Sequence, residues 1–295
     1  MDADQLTRIA TAHGFIAALD QSGGSTPGAL TRYGIPPEAY SGDAEMFDLM
    51  HAFRSRIITS SVFTGDKVLA AILFEQTMDR DIDGIAVPDF LWDAKGIIPF
   101  VKVDKGLAEP ASGVRLMKPM PDLDGLLERA IARHVFGTKM RSVVQAGDRS
   151  GIDAVLDQQF EVGTRILAAG LMPILEPEVD INAPDKPDAE ALVIAGILGR
   201  LETLPTGARV MLKLTIPTEA NLYADLIAHP SVVRVVALSG GYSREEANRR
   251  LAANHGLIAS FSRALTEGLD VHMSDADFDA ALAAAIGSIY EASTT

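Results

Sequence analysis

A single lysine lies in the middle of a stretch that otherwise has the composition of a buried strand. The stretch has the sequence RVMLKLTIP, from Arg209 to Pro217, with Lys213 at its centre. Burial of an unpaired ammonium group costs free energy, so such a lysine usually has a lowered pKa and a neutral amine. A neutral amine attacks carbonyl carbons and forms Schiff bases. Lys213 is therefore either a nucleophile or the partner of a buried carboxylate that only completes the core.

Other charged side chains lie near the carboxyl ends of short apolar runs. Residues two apart share one face of a strand. The pairs with this spacing are Lys102 with Asp104, Lys139 with Arg141, and Glu176 with Glu178. If these faces point inward, cations and carboxylates meet above the strands, either as an acid–base site or as ion pairs with a purely structural role. Structural ion pairs would not need the Gly-Gly turns that follow the first and seventh runs, so these turns favour an acid–base site.

Eight apolar runs alternate with helical patterns, and these runs are the elements that must position the charged groups. The predicted strands span residues 15–19, 68–74, 97–103, 136–144, 171–175, 209–217, 232–238 and 257–261. Such an order requires a parallel sheet with right-handed crossovers. With eight units it predicts an α/β fold, a (β/α)8 TIM barrel, as a single domain over residues 1–295. The alternative is an open doubly wound sheet, but the turn at Gln21–Ser25 is not a GxGxxG motif.

Helix boundaries follow from capping residues and apolar stripes. A short N-terminal helix is predicted over residues 3–12, and a C-terminal helix over about 274–291. Between them, helices are predicted over 122–134, 150–169, 189–204 and 218–229. In these predictions Ser150 and Thr218 open their helices as capping residues.

Composition narrows the classes of function. The chain has 295 residues, 47% of them apolar, no cysteine and a net charge of −14. The acidic charge argues against nucleic acid and anionic membranes as partners. The N-terminus has no signal-peptide pattern, and no apolar run reaches about 18 residues, so we expect a cytoplasmic protein without a membrane span. Cytosolic enzymes are commonly symmetric oligomers, so we also expect a homo-oligomer.

Basic residues are concentrated at one end of this acidic chain. They are Lys102, Lys105, Lys139, Arg141, Lys213 and Arg263. The run Ser239-Gly240-Gly241 before a capped helix is similar to the phosphate-binding turns that this fold often has after its last strands. A second anion-binding patch is predicted near Ser22, Ser25 and Lys102. The expected partner is a small molecule with a phosphate group at two ends.

Metal catalysis fits this sequence poorly. The histidines are His13, His51, His134, His229, His255 and His272. All of them fall at helix ends or in loops of the predicted fold, and none has the spacing of a ligand pair such as HxxxH. No metal and no cofactor are expected.

Seven segments together carry a family resemblance. In chain order they are LDQSGGSTP, KVDKG, TKMRSVV, PILEPEV, MLKLTIP, LSGGYSREEA and FSRAL. They resemble class I fructose-bisphosphate aldolase, most closely its short bacterial form, and the resemblance covers the chain from about Gly14 to Tyr290. It implies a lyase that reversibly cleaves fructose 1,6-bisphosphate, in glycolysis and gluconeogenesis, to dihydroxyacetone phosphate and glyceraldehyde 3-phosphate.

The resemblance also implies catalytic roles. Lys213 matches the Schiff-base lysine, and Glu176 matches the acid–base group of carbinolamine formation and dehydration. Lys139 matches a neighbouring lysine whose charge helps to lower the pKa of the nucleophile. Asp20 matches the carboxylate near the C4 hydroxyl, and Glu178 matches a second carboxylate that holds the lysine network.

Phosphate-binding positions are implied in the same way. The residues that match those toward the 6-phosphate are Ser22, Ser25, Lys102 and Arg141. The residues that match the 1-phosphate site are Ser239, Gly240 and Arg263, and their chain neighbours Gly241 and Ser262 are assigned to the same site.

The sequence departs from the animal members of the family in three places. They carry a glutamate after the first aspartate, where this chain has Gln21. They end in a flexible tail with a terminal tyrosine that assists proton exchange at the enamine, whereas Tyr290 lies in the predicted last helix. Glu176 is then the candidate for that proton transfer. Ser262 stands where the animal members have glycine.

Two other functions remain open at this point. One is another Schiff-base barrel lyase on a sugar phosphate, such as a transaldolase-like or deoxyribose-phosphate-type enzyme. The other is an inactive barrel that acts as a binding protein. Two phosphate patches favour a bisphosphate substrate over the first alternative, and the intact set of lysine, glutamate and aspartate argues against the second.

Overall fold

A ring of eight parallel strands forms the centre of the computed structural model, which describes all residues from Met1 to Thr295. Each strand pairs with its neighbours in the sequence, and the last strand pairs with the first and closes the ring. The predicted (β/α)8 barrel is confirmed, and the open doubly wound sheet is excluded. The strands are β1 Phe15–Leu19, β2 Val68–Leu73, β3 Ile98–Lys102, β4 Gly137–Val144, β5 Met172–Val179, β6 Val210–Thr215, β7 Val232–Leu238 and β8 Ile258–Phe261.

Helices connect the strands, and several shorter elements decorate the connections. The helices are α1 Ala3–Thr11, α2 Thr26–Arg32, α3 Gly42–Thr59, α4 Glu75–Met78, α5 Val87–Asp89, α6 Leu123–Ala132, α7 Arg149–Ala168, α8 Lys186–Leu201, α9 Ala224–Ala228, α10 Arg244–Leu251, α11 Arg263–Thr266 and α12 Asp275–Ala292. The shorter elements are 3₁₀ turns at Gly23–Ser25 and Pro37–Ala39, a π-helical turn at Phe90–Ala94, a hairpin of Asp81–Ile82 with Ile85–Ala86, and the strand Val114–Arg115, antiparallel to β4. None of the helices has the length and apolar content needed to cross a bilayer.

The predicted end of the fifth strand is wrong. The prediction stopped this strand at residue 175, before a Glu-Pro-Glu run, whereas β5 continues to Val179. A proline removes one backbone donor but keeps an extended conformation, so Pro177 remains within the strand. The extension matters because it carries Glu176 and Glu178 on a strand rather than on a loop.

Two predicted helix starts are also wrong. Asp148, not Ser150, caps α7, because its Oδ1 accepts hydrogen bonds from the Gly151 amide at 2.8 Å and from the Ser150 hydroxyl at 2.7 Å. Thr218 opens no helix, and α9 covers only Ala224–Ala228. The Thr218 amide instead donates to the buried carboxylate of Glu190 at 3.2 Å, which ties this loop to α8.

The interior of the barrel has an apolar floor. Its members are Ile16, Ala18, Ala70, Ile72, Ile98, Phe100, Phe136, Met172, Ile174, Met211, Val236 and Ile258. Gly137 belongs to this layer because a Cβ there would lie 2.6 Å from the Phe100 ring and 2.3 Å from the Met172 carbonyl oxygen. Helix α1 closes the bottom: Ile9 packs on the floor, and Arg234 donates to the carbonyl oxygens of Ile9 and Ala12 at 3.0 Å.

The charged groups form the layer directly above this floor. Successive inward side chains on a strand are two residues apart. Two residues beyond an inward floor residue come Asp20 after Ala18, Lys102 after Phe100, Lys139 after Gly137, Glu176 after Ile174 and Lys213 after Met211. The strand period therefore directs all five side chains into the carboxyl-terminal mouth of the barrel.

Candidate active site

A cavity of about 970 Å³ opens at the carboxyl-terminal ends of the strands. Every residue predicted for the site lines it except Gly241. The predicted residues that line it are Asp20, Ser22, Ser25, Lys102, Lys139, Arg141, Glu176, Glu178, Lys213, Ser239, Gly240, Ser262 and Arg263. Gly241 lies just outside, where a Cβ would be 3.4 Å from the Arg263 guanidinium.

The deepest part of the cavity is a line of alternating charges. Oε1 of Glu176 lies 3.0 Å from the amine of Lys213, and Oε2 lies 3.0 Å from the amine of Lys139. The Lys139 amine also lies 2.6 Å from Oδ2 of Asp20. Glu176, Lys139 and Lys213 are each less than 5% exposed. Two carboxylates and two amines thus lie together in one buried cluster, where electrostatic interactions are stronger than in water.

The position of Lys213 combines the two hypotheses drawn from its strand. The side chain is buried on β6, as the apolar sequence predicted, but its amine is not unpaired. Glu176, its carboxylate partner, is shared with Lys139 and faces a large cavity rather than the core. This arrangement places an acid–base group against the amine, which a pair that only completes the core would not require.

Two charges in this cluster are held firmly in their ionised forms. Burial raises the pKa of Asp20, but the positive charges of Lys139 and Lys213 outweigh burial and hold that pKa well below its ordinary value. Burial lowers the pKa of Lys139, but the carboxylates of Asp20 and Glu176 outweigh it and raise that pKa above its ordinary value. At neutral pH, before substrate binds, Asp20 is therefore an anion and Lys139 a cation.

The low pKa of Asp20 predicts a measurable contribution to acid stability. Its ordinary pKa is 3.8, so the unfolded chain takes up a proton as the pH falls through that value while the folded chain does not. The stabilisation is present above the ordinary pKa and is lost as the pH falls. Between about pH 5 and pH 3, the free energy of unfolding is expected to fall by about 1 kcal/mol more in the unchanged protein than in Asp20→Asn.

Urea unfolding at the two pH values measures this difference. Asp43→Asn is the matched control, because Asp43 is exposed on α3. It is expected to show the same pH dependence as the unchanged protein. An Asp20→Asn variant with the full pH dependence would contradict the assigned charge state.

Side chains add to the backbone pairing of β4 with β5 around Glu176. The Glu176 amide donates to Oε1 of Gln159, a buried residue of α7, at 3.3 Å. Nε2 of Gln159 in turn donates to the Ser142 hydroxyl on β4 at 2.9 Å. Gln159 therefore bridges β4 and β5 behind the site and fixes the backbone that carries the carboxylate.

The seam between β5 and β6 is closed in a similar way. Backbone pairing between these strands ends at Leu175 and Leu212. Further along, the Thr215 hydroxyl donates to the Val179 carbonyl oxygen at 2.6 Å and accepts from the Val179 amide at 2.9 Å. Pro177 has no amide to donate within this interval. The backbones of β5 and β6 are thus not paired where they carry Glu176 and Lys213. The Thr215 hydroxyl satisfies the amide and the carbonyl oxygen of Val179 beyond that gap.

Glu178 has a different partner from the one that the family resemblance implied. Its carboxylate pairs with Nε of Arg141 rather than with a lysine. Burial raises the pKa of Glu178, and the charge of Arg141 only partly opposes this effect. Lys102 is likewise paired, with Asp104 at 2.7 Å. Two cations predicted for the 6-phosphate site therefore already have carboxylate partners.

Two arginines at the other side of the cavity have no such partner. Neither Arg263 nor Arg32 donates a hydrogen bond or forms an ion pair within the protein. Burial lowers the pKa of Arg32, and the positive charge of Arg263 lowers it further, so the two side chains influence one another. Beside them, Gly240 has φ +63°, and a Cβ there would lie 2.5 Å from Ile181. This corner can accept an anion through unpaired guanidinium groups and a glycine turn.

Comparison with known proteins identifies the family. The sequence model of the family described as "Fructose-bisphosphate aldolase class-I" matches residues 44–200. The chain is 57% identical over 292 residues to "Fructose-bisphosphate aldolase class 1" of Synechocystis sp., which covers 99% of this chain and 97% of that relative. The relative of the same name from Porphyromonas gingivalis is 54% identical over 293 residues and covers 99% of both chains. The chain belongs to the class I fructose-bisphosphate aldolase family.

Membership in this aldolase family confirms the predicted family and makes the chain a carbon–carbon lyase. Solved structures agree with the fold. The fructose-bisphosphate aldolase of Plasmodium falciparum, in complex with TRAP and a small-molecule inhibitor, has a TM-score of 0.74 at 22% identity, covering 100% of this chain and 97% of that one. Cgl0159 of Corynebacterium glutamicum has a TM-score of 0.58 at 15% identity, covering 98% and 91%.

Sequence reasoning missed three basic residues that line the cavity of this aldolase: Arg32, Arg115 and Lys118. Arg32 is the last residue of α2. The Thr26-Pro27 pair could have indicated the start of this helix, because proline is common in the first turn of a helix. Arg115 belongs to the two-residue strand that pairs with β4, and so short an element leaves no periodicity in the sequence.

The serines after β1 fold back on their own loop. The Ser22 amide donates to the Ser25 hydroxyl at 3.0 Å, and that hydroxyl donates to the Ser22 carbonyl oxygen at 2.9 Å. The intervening Gly23 and Gly24 are exposed to the cavity, and a Cβ at either would meet nothing within 4 Å. This turn therefore presents its backbone, more than its hydroxyl groups, to a ligand.

Proposed function

We propose that the chain cleaves fructose 1,6-bisphosphate reversibly into dihydroxyacetone phosphate and glyceraldehyde 3-phosphate, through a Schiff base on Lys213. The observation that supports it most directly is the Glu176 carboxylate, which lies 3.0 Å from both Lys213 and Lys139 in a buried pocket. Family membership supports the reaction, and the cationic lining of the cavity suits a substrate with two phosphate groups.

In the first half of the proposed reaction, Glu176 takes a proton from the ammonium group of Lys213, and the neutral amine attacks the C2 ketone and forms a carbinolamine. Glu176 then donates a proton to the C2 hydroxyl, which leaves as water, and a protonated imine remains. The 3.0 Å contact between Glu176 and the amine supports this role. Lys139 holds the other carboxylate oxygen of Glu176 and keeps it oriented toward the nucleophile.

Asp20 is the proposed base of the cleavage step. Its carboxylate takes the proton of the C4 hydroxyl, the C3–C4 bond breaks, and the bonding electrons pass to the protonated imine and form an enamine. The aldehyde leaves with its own phosphate. Protonation of the enamine at C3 and hydrolysis of the imine then release the second product. Tyr290 lies in α12, outside the cavity lining, so we assign the enamine proton transfer to Glu176.

The proposed 1-phosphate site is the corner that contains the two unpaired arginines. Its proposed members are Ser239, Gly240, Gly241, Ser262 and Arg263, and we add Arg32 because it lines the same cavity. The proposed 6-phosphate site contains Ser22, Ser25, Lys102 and Arg141, which line the same cavity. Because Lys102 and Arg141 have carboxylate partners, we assign the larger share of the phosphate affinity to the corner of Arg263.

Arg263→Ala tests the proposed 1-phosphate site. Phosphate binding is largely the same in the ground state and in the transition state, so its loss raises KM and leaves kcat nearly unchanged. KM for fructose 1,6-bisphosphate is expected to rise by about tenfold to a hundredfold, with kcat within about threefold of the unchanged enzyme. Arg149→Ala, on an exposed arginine outside the cavity, is the control and is expected to change neither constant. An unchanged KM in Arg263→Ala would place the phosphate elsewhere.

A Schiff-base route also predicts insensitivity to chelators. The protonated imine accepts the electrons of the broken bond, so no metal ion is needed to stabilise the carbanion. After dialysis against EDTA, kcat/KM is expected to stay within about twofold of its value in the untreated enzyme. A metal-dependent aldolase treated in parallel should lose its activity, which shows that the treatment works. Loss of activity that added Zn²⁺ restores would contradict the route.

We also propose a homo-oligomer in the cytoplasm, folded as a single domain over residues 1–295, without nucleic-acid or membrane partners. The net charge of −14 supports the exclusion of polyanionic partners. The closed ring of strands, which runs from residue 15 to residue 261, supports the single domain. Symmetric assembly is the common state of cytosolic enzymes.

A further inference from the structure

A buried arginine lies behind the active site and takes no part in the proposed mechanism. Arg54, on α3, is 2% exposed, and no carboxylate forms an ion pair with it. Its guanidinium donates to the Thr77 hydroxyl at 2.7 Å and to the carbonyl oxygen of Gln21. It also donates to Oε1 of the Gln21 side chain at 3.4 Å. Burial lowers the pKa of Arg54 to about 10, so the group is still a cation at neutral pH.

The guanidinium fixes the orientation of the Gln21 amide. Arginine has five N–H donors and no acceptor, so only the oxygen of the amide can face it. The NH₂ group of Gln21 must then point the other way. It points toward the Ser262 hydroxyl, with Nε2 and Oγ 2.7 Å apart. Arg54, Gln21 and Ser262 thus form a hydrogen-bonded chain with a single direction of donation.

That direction determines what Ser262 can offer to a ligand. One lone pair of its Oγ is occupied by the Gln21 amide, and its own hydrogen has no acceptor within the protein. Ser262 lines the cavity next to Arg263, and it follows β8, the strand beside β7, which leads to Ser239. A hydroxyl that already accepts a hydrogen bond becomes a better donor, because consecutive hydrogen bonds polarise one another.

We propose that Arg54 and Gln21 are positioning residues that hold the Ser262 hydroxyl as a hydrogen-bond donor to the substrate phosphate beside Arg263. This inference rests on the proposed placement of that phosphate. Ser262 binds the phosphate directly, whereas Gln21 acts through Ser262. A carboxylate in place of the Gln21 amide would accept the Ser262 hydrogen, leaving only lone pairs to face the phosphate.

The experiment is a double-mutant cycle on Gln21 and Ser262, followed by KM and kcat for fructose 1,6-bisphosphate. Ser262→Ala is expected to raise KM by about tenfold with kcat within about twofold. Ser262→Thr, which keeps the hydroxyl, should restore KM to within about threefold of the unchanged enzyme. Gln21→Glu should raise KM by at least about tenfold. In the Gln21→Glu background, Ser262→Ala should add less than about twofold, because the hydroxyl no longer donates to the phosphate.

Gln76→Glu is the charge-matched control, since Gln76 is exposed on α4 at the same end of the barrel. It is expected to leave KM within about twofold, which separates the hydrogen-bond effect from added negative charge. If Ser262→Ala raises KM by the same factor in the unchanged protein and in Gln21→Glu, the positioning role of Gln21 is overturned. If Arg263→Ala raises KM but Ser262→Ala does not, this inference fails and the phosphate site stands. If neither variant raises KM, the phosphate placement itself fails.

Discussion

Lys213→Met is expected to lower kcat/KM for fructose 1,6-bisphosphate by at least about 10⁴-fold, because without the amine no imine forms and the C3–C4 bond has no electron sink. Methionine keeps most of the length of the side chain and its burial on β6, so the fold should tolerate the change. Treatment of the unchanged enzyme with borohydride and dihydroxyacetone phosphate should reduce the imine to a stable adduct. Mass spectrometry at residue resolution should place that adduct on Lys213.

The control for this trap is Lys139, which is as deeply buried as Lys213 and shares the Glu176 carboxylate. Lys139→Met should still form the adduct on Lys213, although more slowly, because the carboxylate that handles the proton loses one of its two partners. An adduct on Lys139, or an adduct in Lys213→Met, would contradict the assigned nucleophile.

Glu176→Gln should produce the second largest loss. The amide keeps the shape of the side chain but neither accepts nor donates the proton of carbinolamine dehydration. Removal of a general acid–base group typically costs about 10²–10⁴-fold in rate, so kcat is expected to fall by that amount while KM stays within about threefold. Steady-state kinetics of Glu176→Gln beside Arg263→Ala then separate the two roles, since one variant changes mainly kcat and the other mainly KM.

Glu190→Gln is the matched control for loss of a buried carboxylate. Glu190 is 1% exposed and pairs with Lys186 on α8, outside the active-site cavity. Its replacement should lower the free energy of unfolding, because Lys186 loses its partner, but leave kcat within about threefold. An equal fall of kcat in both variants would mean that Glu176 acts through stability rather than through proton transfer.

The strand period made much of this site predictable from the sequence. Because the side chains of a strand alternate, Lys213, Glu176, Lys139 and Asp20 were all expected at the mouth of a barrel, and each lines the cavity. The partners of the charges were less predictable. Glu178 contacts Arg141 on the neighbouring strand, and that pairing depends on the register of β4 against β5, which the sequence does not encode locally.

Long-range contacts account for most of what the sequence analysis missed. In the sequence, Gln21 and Ser262 are two separate departures from the animal pattern, 241 positions apart in the chain. The fold brings them to 2.7 Å, since β1 and β8 are neighbours in the closed ring. Arg32 was missed for a different reason: α2 has only seven residues, too few for a clear helical period.

The side-chain support of the fifth strand has an implication for how such an enzyme changes over evolutionary time. Gln159 and Thr215 hold the backbone at Glu176 and at Val179, yet neither side chain forms a hydrogen bond with Lys139 or Lys213. Substitutions at these two sites can shift the carboxylate by fractions of an ångström while every reacting group is retained. Evolution can therefore adjust the distances between the reacting groups without replacing any of the residues that carry those groups.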